Sequence, residues 1–529
     1  MKLRTLARLA IIVSVVLLCV GIGVYSYLRL QSVEHRRSVN LFTLVPQDAE
    51  AVLETDRLVD FIDDINGMES SHDGYLLHFS ELFSGLNTCL QSLVDENPHG
   101  INNLMNKVLV SHHAPAGNQN EVLYCTFGMG GRGMIEKFIQ RYTSSQFPSK
   151  TFEYKGRDIQ IYSMINGQFL AAYISDTFLA ISFQKRLIER VIDAHDSHQS
   201  LADNSEFARL LKARKGGVLA NLYLQMNQVQ MGSKDEPGYQ ASLGNWTQFD
   251  IRFKERIAYL SGINSVRDTT TFLSALLGQQ SVEDFHGDLL PDGTFYYNRC
   301  GFSHPDSLLD FLSPIVYQRH QLDASVQRFD SLFSRYLCEY TAGDFLTCFF
   351  RGRDTLRQDP YAVLSIALHD AARAETQLRR HFTAQPDTYT HLSSGETLYR
   401  IPSNTVLLQL CGLPTNGFRT YAAFCGDRLV MAPDAASLSA YVQALVEERV
   451  EQGGVMFDET TNSLSANYVY AMLVDLEHFR GLSTDYAKLI PHFFFRHEDF
   501  FKHFTIGFQI TANEEGVHPN VVLIYKAEK

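Results

Sequence analysis

The sequence predicts an α+β protein in which an N-terminal transmembrane helix is followed by two tandem copies of a mixed, largely antiparallel sheet-plus-helices unit. Three observations lead there. Leu9–Leu28 is an uncharged apolar stretch, and no second run of that length follows it. As a helix of about twenty residues it is long enough to cross a hydrocarbon core of about 30 Å. Next, Phe169–His195 is echoed by Thr420–Val446. Ala171, Ala172, Asp176, Leu187 and Val191 recur as Ala422, Ala423, Asp427, Leu438 and Val442 at one offset (422 − 171 = 251). Both stretches read as a buried β-hairpin with a polar turn, followed by an amphipathic helix. Last, hairpins with helices grouped between them, rather than a regular strand–helix alternation, argue for antiparallel pairing over a doubly wound parallel sheet.

The expected domains are 1–40 (signal anchor and juxtamembrane segment), 41–286 (repeat A) and 287–529 (repeat B). A chain of 529 residues with 45% hydrophobic residues has ample material for large cores. Its net charge of −13 offers no basic face, so no nucleic-acid partner is expected. Lys2, Arg4 and Arg8 precede the apolar run. Val24–Leu28 carries that run past Gly21 and Gly23, where a cleavage site would fall, so the segment reads as an uncleaved signal anchor. Tyr25 and Tyr27 suit a membrane interface, whereas Arg29, Arg36 and Arg37 weaken the charge contrast that sets orientation. Eight cysteines without a C-x-x-C read mainly as small buried hydrophobes.

Each repeat then unfolds in the same order. Repeat A opens with the turn Leu44–Asp48 and a strand over Ala49–Thr55; repeat B opens with Leu289–Gly293 and a strand over Thr294–Cys300. Helical regions follow at Tyr75–Leu93 and Leu322–Tyr340, then strand pairs at Val108–Ser111 with Val122–Phe127 and at Phe345–Cys348 with Ala362–Leu368. Helices at Met134–Tyr142 and Ala371–Phe382 lead to short strands at Ile159–Tyr162 and Tyr399–Ile401. After the hairpin and its helix come late strands, Val218–Leu224 and Val469–Leu473. An alternating ribbon closes each repeat, with Trp246–Phe253 set against Phe501–Phe508.

Motifs that carry chemistry are weak against this pattern. Gly128–Gly133 matches G-x-G-x-x-G between an expected strand and helix, the setting in which backbone amides cradle a pyrophosphate, with Asp158 beyond it as a ribose-binding candidate. Repeat B has Leu368–Arg373 there, an ordinary turn with Asp370 as helix cap, so a plain turn is the reading for both. Ser182–Lys185 matches S-x-x-K without the companion motifs of that enzyme class, and Ser182 reads as a helix N-cap. His492, His497 and His503 with Glu498 and Asp499 form a metal-ligand pool, but their spacing does not hold one helical face. His112, His113, His195 and His198 are weaker still, and Asp176 and Asp427 have an adequate cause as turn residues. No catalytic, cofactor-binding or metal residue is expected, and no cofactor.

The apolar N-terminal run, the Leu-x-Pro-x-Asp/Gly openings at Leu44–Asp48 and Leu289–Gly293, and the tandem units resemble an uncharacterised bacterial family of single-pass envelope proteins, classed as a domain of unknown function. The resemblance implies an inner-membrane protein, attached through Leu9–Leu28, with its C-terminal body in the periplasm, and brings no catalytic residues. The expected function is a non-enzymatic envelope binding or scaffold protein whose partner is an envelope protein or an extended ligand. An envelope hydrolase or modifying enzyme with a site between the copies, or a carrier of lipids or other hydrophobic ligands, is the alternative.

Overall fold

The computed structural model describes residues 39–526 apart from 76–106, 114–119, 127–132, 134–135, 137–138, 144–146, 166, 215–216, 230–244, 265–270, 284, 286, 353–356, 383–388, 392–394, 415–418, 448–454, 481, 483 and 514–515. The chain falls into two compact units. One comprises residues up to Asp63 with His78–Ala213, the other Asp64–Leu77 with Arg214–Lys529.

The first unit is a seven-stranded antiparallel sheet. Its strands are β1 (Ala49–Thr55), β2 (Val108–His113), β3 (Glu121–Thr126), β4 (Lys150–Tyr154), β5 (Arg157–Ser163), β6 (Phe169–Ile174) and β7 (Phe178–Ser182). Their spatial order is β1-β2-β3-β7-β6-β5-β4. Helix Lys185–Ser197 packs on β5, β6 and β7 and buries Leu187, Ile188, Val191, Ile192 and Ala194 against them. Each of its large aliphatic side chains contributes about 1.5–3 kcal/mol by leaving water. The helix stops at His198, which takes the left-handed conformation at the C-cap.

The second unit contains β8 (Ala220–Gln225), β9 (Trp246–Phe253), β10 (Ile257–Ile263), β11 (Val282–Glu283), β12 (Thr294–Gly301), β13 (Thr341–Phe350), β14 (Tyr361–Leu368) and β15 (Tyr389–His391). It continues with β16 (Thr397–Pro402), β17 (Arg419–Cys425), β18 (Arg428–Ala432), β19 (Asn467–Tyr468), β20 (Tyr470–Asp475), β21 (Phe504–Asn513) and β22 (Gly516–Tyr525). All pair antiparallel, in the order β8-β9-β10-β22-β21-β20-β12-β13-β14-β18-β17-β16-β15, with β11 and β19 forming a separate pair.

Two regularities emerge. The run β12-β13-β14-β18-β17-β16-β15 has the order of β1-β2-β3-β7-β6-β5-β4, strand for strand, and both opening strands carry a register shift at the same place, between Ala49 and Ala51 and between Thr294 and Tyr296. Within the second unit, β8-β9-β10 and β22-β21-β20 mirror each other about the β10–β22 pairing, whose centre is Ser261 opposite Asn520.

The ladder also gives equivalences that differ from the sequence offsets. Thr55, Val108, Cys125 and Leu179 lie in one row across the first sheet, and Cys300, Phe345, Ile366 and Leu429 lie in the matching row. In the hairpins the offset is thus 250 (429 − 179), not 251. Ala172 answers Ala422, and Asp427 answers Thr177 rather than Asp176. The same offset superposes the buried faces of helices Lys185–Ser197 and Ala435–Val446, Leu187 on Ser437, Ile188 on Leu438 and Val191 on Tyr441. The one-residue slip escapes the sequence because each turn of these helices buries two adjacent positions, and because β7 and β18 are buried on both faces.

The closing ribbon moves further. Trp246 begins β9 opposite Gln225, whereas Phe501 ends the short helix Glu498–Phe501, and the residue in Trp246's place is Thr505, opposite Asp475. A slip of four residues keeps every side chain on its face, so alternation alone cannot detect it.

The expected fold class needs a correction at its start. Among the described residues no helix is long and apolar enough to cross a membrane. The longest, Ala324–Tyr340, has 17 residues and carries Arg328, Asp330, Arg335 and Glu339. Leu9–Leu28 lies outside the described residues, as do Cys19, Cys89 and nearly all of Tyr75–Leu93. What the structure has is a large antiparallel sheet with helices, an α+β fold.

Candidate functional site

A polar constellation forms in the first unit where β1, β2 and β3 run side by side. Ser111 and His113 are two apart on β2, so the strand period puts both side chains on one face. Ser111 opposes Val122 on β3, and Tyr124, two residues further along, shares that face. The register shift in β1 brings Ala49 opposite His113, with Asp48 just before it.

The resulting chain of contacts has the order of an acid–base–nucleophile relay. Asp48 Oδ1 stands 3.4 Å from His113 Nδ1. His113 Nε2 is 2.8 Å from Ser111 Oγ, which lies 3.1 Å from the Tyr124 hydroxyl. Arg190, from the helix after β7, pairs with the other oxygen of Asp48. Beside this row, His112 Nδ1 sits 3.3 Å from Glu121 Oε1.

Acyl-transfer chemistry needs the serine oxygen open to a substrate. Here Ser111 and Tyr124 are fully buried, and Ser111 lies mid-strand between Val52 and Val122. The Asp48 contact is long, and His113 Nδ1 has no hydrogen-bond partner, so the carboxylate does not fix the tautomer as an orienting acid does. Burial pushes the His113 imidazole down to about 4, with Glu50 pulling the other way. The ring is therefore neutral at pH 7 and accepts or donates a single hydrogen bond within the sheet. Burial likewise lowers His112, opposed by Glu121, and raises the Tyr124 phenol. The arrangement can bind its own members together; it offers no reacting group to a ligand.

Sequence reasoning set His112 and His113 among its weakest candidates. The signal available was Ser-x-His on a strand; Asp48 and Tyr124 enter only through the pairing of three strands. The other candidates disperse. Ser182 ends β7 fully buried, its hydroxyl donating to the Glu121 carbonyl and accepting from the Gln184 N–H. The helix N-cap is Gln184, not Ser182, because the strand runs on to Ser182 before the chain turns. Asp370 does cap its helix, accepting from the Arg373 N–H. Of Gly128–Gly133 only Gly133 is described. Asp158 lies in the strand β5, exposed, opposite Glu153, and His195 contacts Asp196.

His492 opens a five-residue helix, His497 packs on Phe493, and His503 stacks on Tyr75 with ring centroids 3.8 Å apart. No group of three His, Cys, Asp or Glu residues able to hold a metal occurs among the described residues. The six described cysteines are free thiols. Burial raises them all, Cys338 to about 11 and Cys125 and Cys425 to about 12, which makes them poor nucleophiles.

In class, the described chain is an antiparallel α+β protein. A family model described as "Protein of unknown function (DUF3352)" matches residues 113–249, so this stretch matches an uncharacterised domain family. Among solved structures, the chain is similar to crystal forms I, III and IV of TP0453, at 11%, 12% and 14% identity and a TM-score of 0.26 in each case. Those matches cover 44%, 47% and 43% of this chain and 80%, 91% and 81% of the TP0453 chains. No match is found among curated proteins.

Proposed function

We propose that the protein is a non-enzymatic binding or scaffold protein of the bacterial envelope, with a protein partner that presents an extended segment to the edge of β4. The observation that carries this reading is the surface around that strand. Among the described residues, seven large apolar side chains are exposed, and four of them, Phe147, Phe152, Ile165 and Phe169, fall within one short stretch. Exposed apolar side chains scattered singly are ordinary, whereas a concentration of them marks a contact surface. β4 pairs only with β5 among the described residues, and an unpaired strand edge is a template for strand addition. Membrane association through Leu9–Leu28, with the body in the periplasm, belongs to the same proposal and rests on the sequence.

A photoreactive phenylalanine analogue at position 152 tests it in living cells. One discrete heterologous adduct is expected, depleted severalfold by Phe169→Asp, with none from the analogue at Phe493. Absence of an adduct at 152, or equal labelling at 493, would overturn the reading. The hydrolase alternative draws on the Asp48–His113–Ser111 order alone; Ser111→Ala should leave any esterase activity of the purified protein unchanged.

A further inference from the structure

The matching rows of the two strand series contain a second, opposite pair of signs. Glu54 on β1 is sealed from solvent and pairs with Lys107, which immediately precedes β2. The ladder makes Arg299 on β12 the equivalent of Glu54, since Glu54 opposes Leu109 where Arg299 opposes Leu346. Likewise Asp344 is the equivalent of Lys107, each one residue before the position opposite Thr55 or Cys300. Arg299 Nε donates to Asp344 Oδ1 at 2.7 Å, and Arg428 Nη1 donates to Asp344 Oδ2 at 3.0 Å. The same diagonal contact is thus built twice, anion on the first strand in one series and cation on the first strand in the other.

The backbone frame of these strand pairs invites confusion between them. They share direction, order and the register shift, and their facing residues are largely apolar: Val108, Leu109 and Val110 in one, Phe345, Leu346 and Cys348 in the other. Apolar alternation sets a register but does not name a partner. Were β1 to pair with β13 in the same register, Glu54 would meet Asp344; were β12 to pair with β2, Arg299 would meet Lys107. Each exchange sets like charges side by side: Glu54 would compete with Asp344 for Arg428, and Arg299 would face Lys107 in place of the Asp344 carboxylate, arrangements that the sheet interior penalises.

We propose that the opposed polarity of these two buried ion pairs acts as an internal address, directing each strand to its own series and against the other series, whether in the same chain or in a second copy. The address is read while the strands assemble, when like-signed partners are rejected before the sheet closes.

Two full-length variants test it by refolding from denaturant, with monomer yield measured by size-exclusion chromatography. Glu54→Lys with Lys107→Glu keeps an ion pair in the first series but gives it the polarity of the second, so that exchanged strands are satisfied. Glu54→Gln with Lys107→Gln removes the pair, and exchange still strands Arg299 and Asp344 without each other. The reversed chain is expected to lose at least threefold in monomer yield, as strand-exchanged dimers or aggregate, while the glutamine chain refolds to monomer as the parent does. Equal behaviour of the two variants, whether both refold or both fail, would overturn the proposal, because ion-pair loss or local misfit would then explain the result. A reversed chain that refolds as well as the parent overturns it too.

Discussion

The strand series β1–β7 and β12–β18 share one frame and fill it with different chemistry. Where the first has Ser111, His113 and Tyr124, the second has Cys348, Phe350 and Ser365 at the positions the ladder makes equivalent. Phe350 stacks on Tyr361 with centroids 5.3 Å apart and joins a core with Tyr297 and Tyr441. Hydrogen bonds among Ser111, His113 and Tyr124 take the place of that aromatic stack. In the second series the polar weight sits further along the ladder, on Arg299, Asp344 and Arg428, the last of which donates to Ser365. Backbone pairing therefore tolerates either filling, provided each buried polar group finds a partner.

The largest expected effect falls on the ion cluster of the second series. Asp344→Ala leaves Arg299 and Arg428 buried without their shared carboxylate, and should destabilise the fold by about 3–5 kcal/mol in denaturant titrations. Glu54→Ala should cost less, because Lys107 is 20% exposed and regains water. Equal losses would show that the two pairs are not differently buried in solution.

Acid separates the two series next. His113 binds protons more weakly folded, at about 4, than at the ordinary 6.5, so between those values the unfolded chain takes up the proton first. The contribution is complete above pH 6.5 and is lost as pH falls to 4, reaching at most about 3 kcal/mol at roughly 1.4 kcal/mol per pH unit. Glu50 opposes the shift, and Asp48, itself paired with Arg190, stands 3.4 Å from the ring. His113→Phe, which copies Phe350, should flatten the stability profile over that range; an unchanged slope would assign acid sensitivity elsewhere.

The smallest effect sharpens the register. Ala172 and Ala422 are both fully buried in equivalent hairpins. Enlarging either to Leu should cost about 1–3 kcal/mol by overpacking, and by similar amounts for both. The sequence offset would instead pair Ala171 with Ala422, whereas the ladder gives Tyr421 as the counterpart of Ala171. Ala171→Tyr should then be better tolerated than Ala172→Tyr, measured as the shift in the denaturation midpoint.

Strand positions were legible because apolar runs bounded by turns are local signals: β9 falls on Trp246–Phe253 and the helix after β14 on Ala371–Phe382, as the patterns predict. Registers were less so. Identity at five positions favoured 251, yet the matching buried sets, with Ile188 equivalent to Leu438 and Ile192 to Val442, decide for 250. The Asp48–His113–Ser111–Tyr124 chain of contacts could not be read beyond the Ser-x-His spacing, since it joins residues more than 70 positions apart through two strand pairings. The opposed signs of Glu54 and Arg299 were visible as letters but meant nothing until the ladder set them on one row.

At the centre of the second unit, the pairing of β10 with β22 leaves a trace of how such a chain can arise. Rotation about the midpoint between Ser261 and Asn520 carries the Leu260–Val521 pair onto the Pro519–Gly262 pair. Two separate identical chains meeting edge to edge would form both pairs from the same residues, and any substitution would strike twice. Joined in one polypeptide, the two sides answer separately. Gly262 can forgo a side chain so that the Pro519 backbone comes close, where an added Cβ would lie 2.4 Å from the Pro519 carbonyl oxygen, while Leu260 and Val521 keep theirs. Fusion turns a symmetric seam into one that can be tailored on each flank, and that independence is what allowed two equal frames to hold unequal interiors.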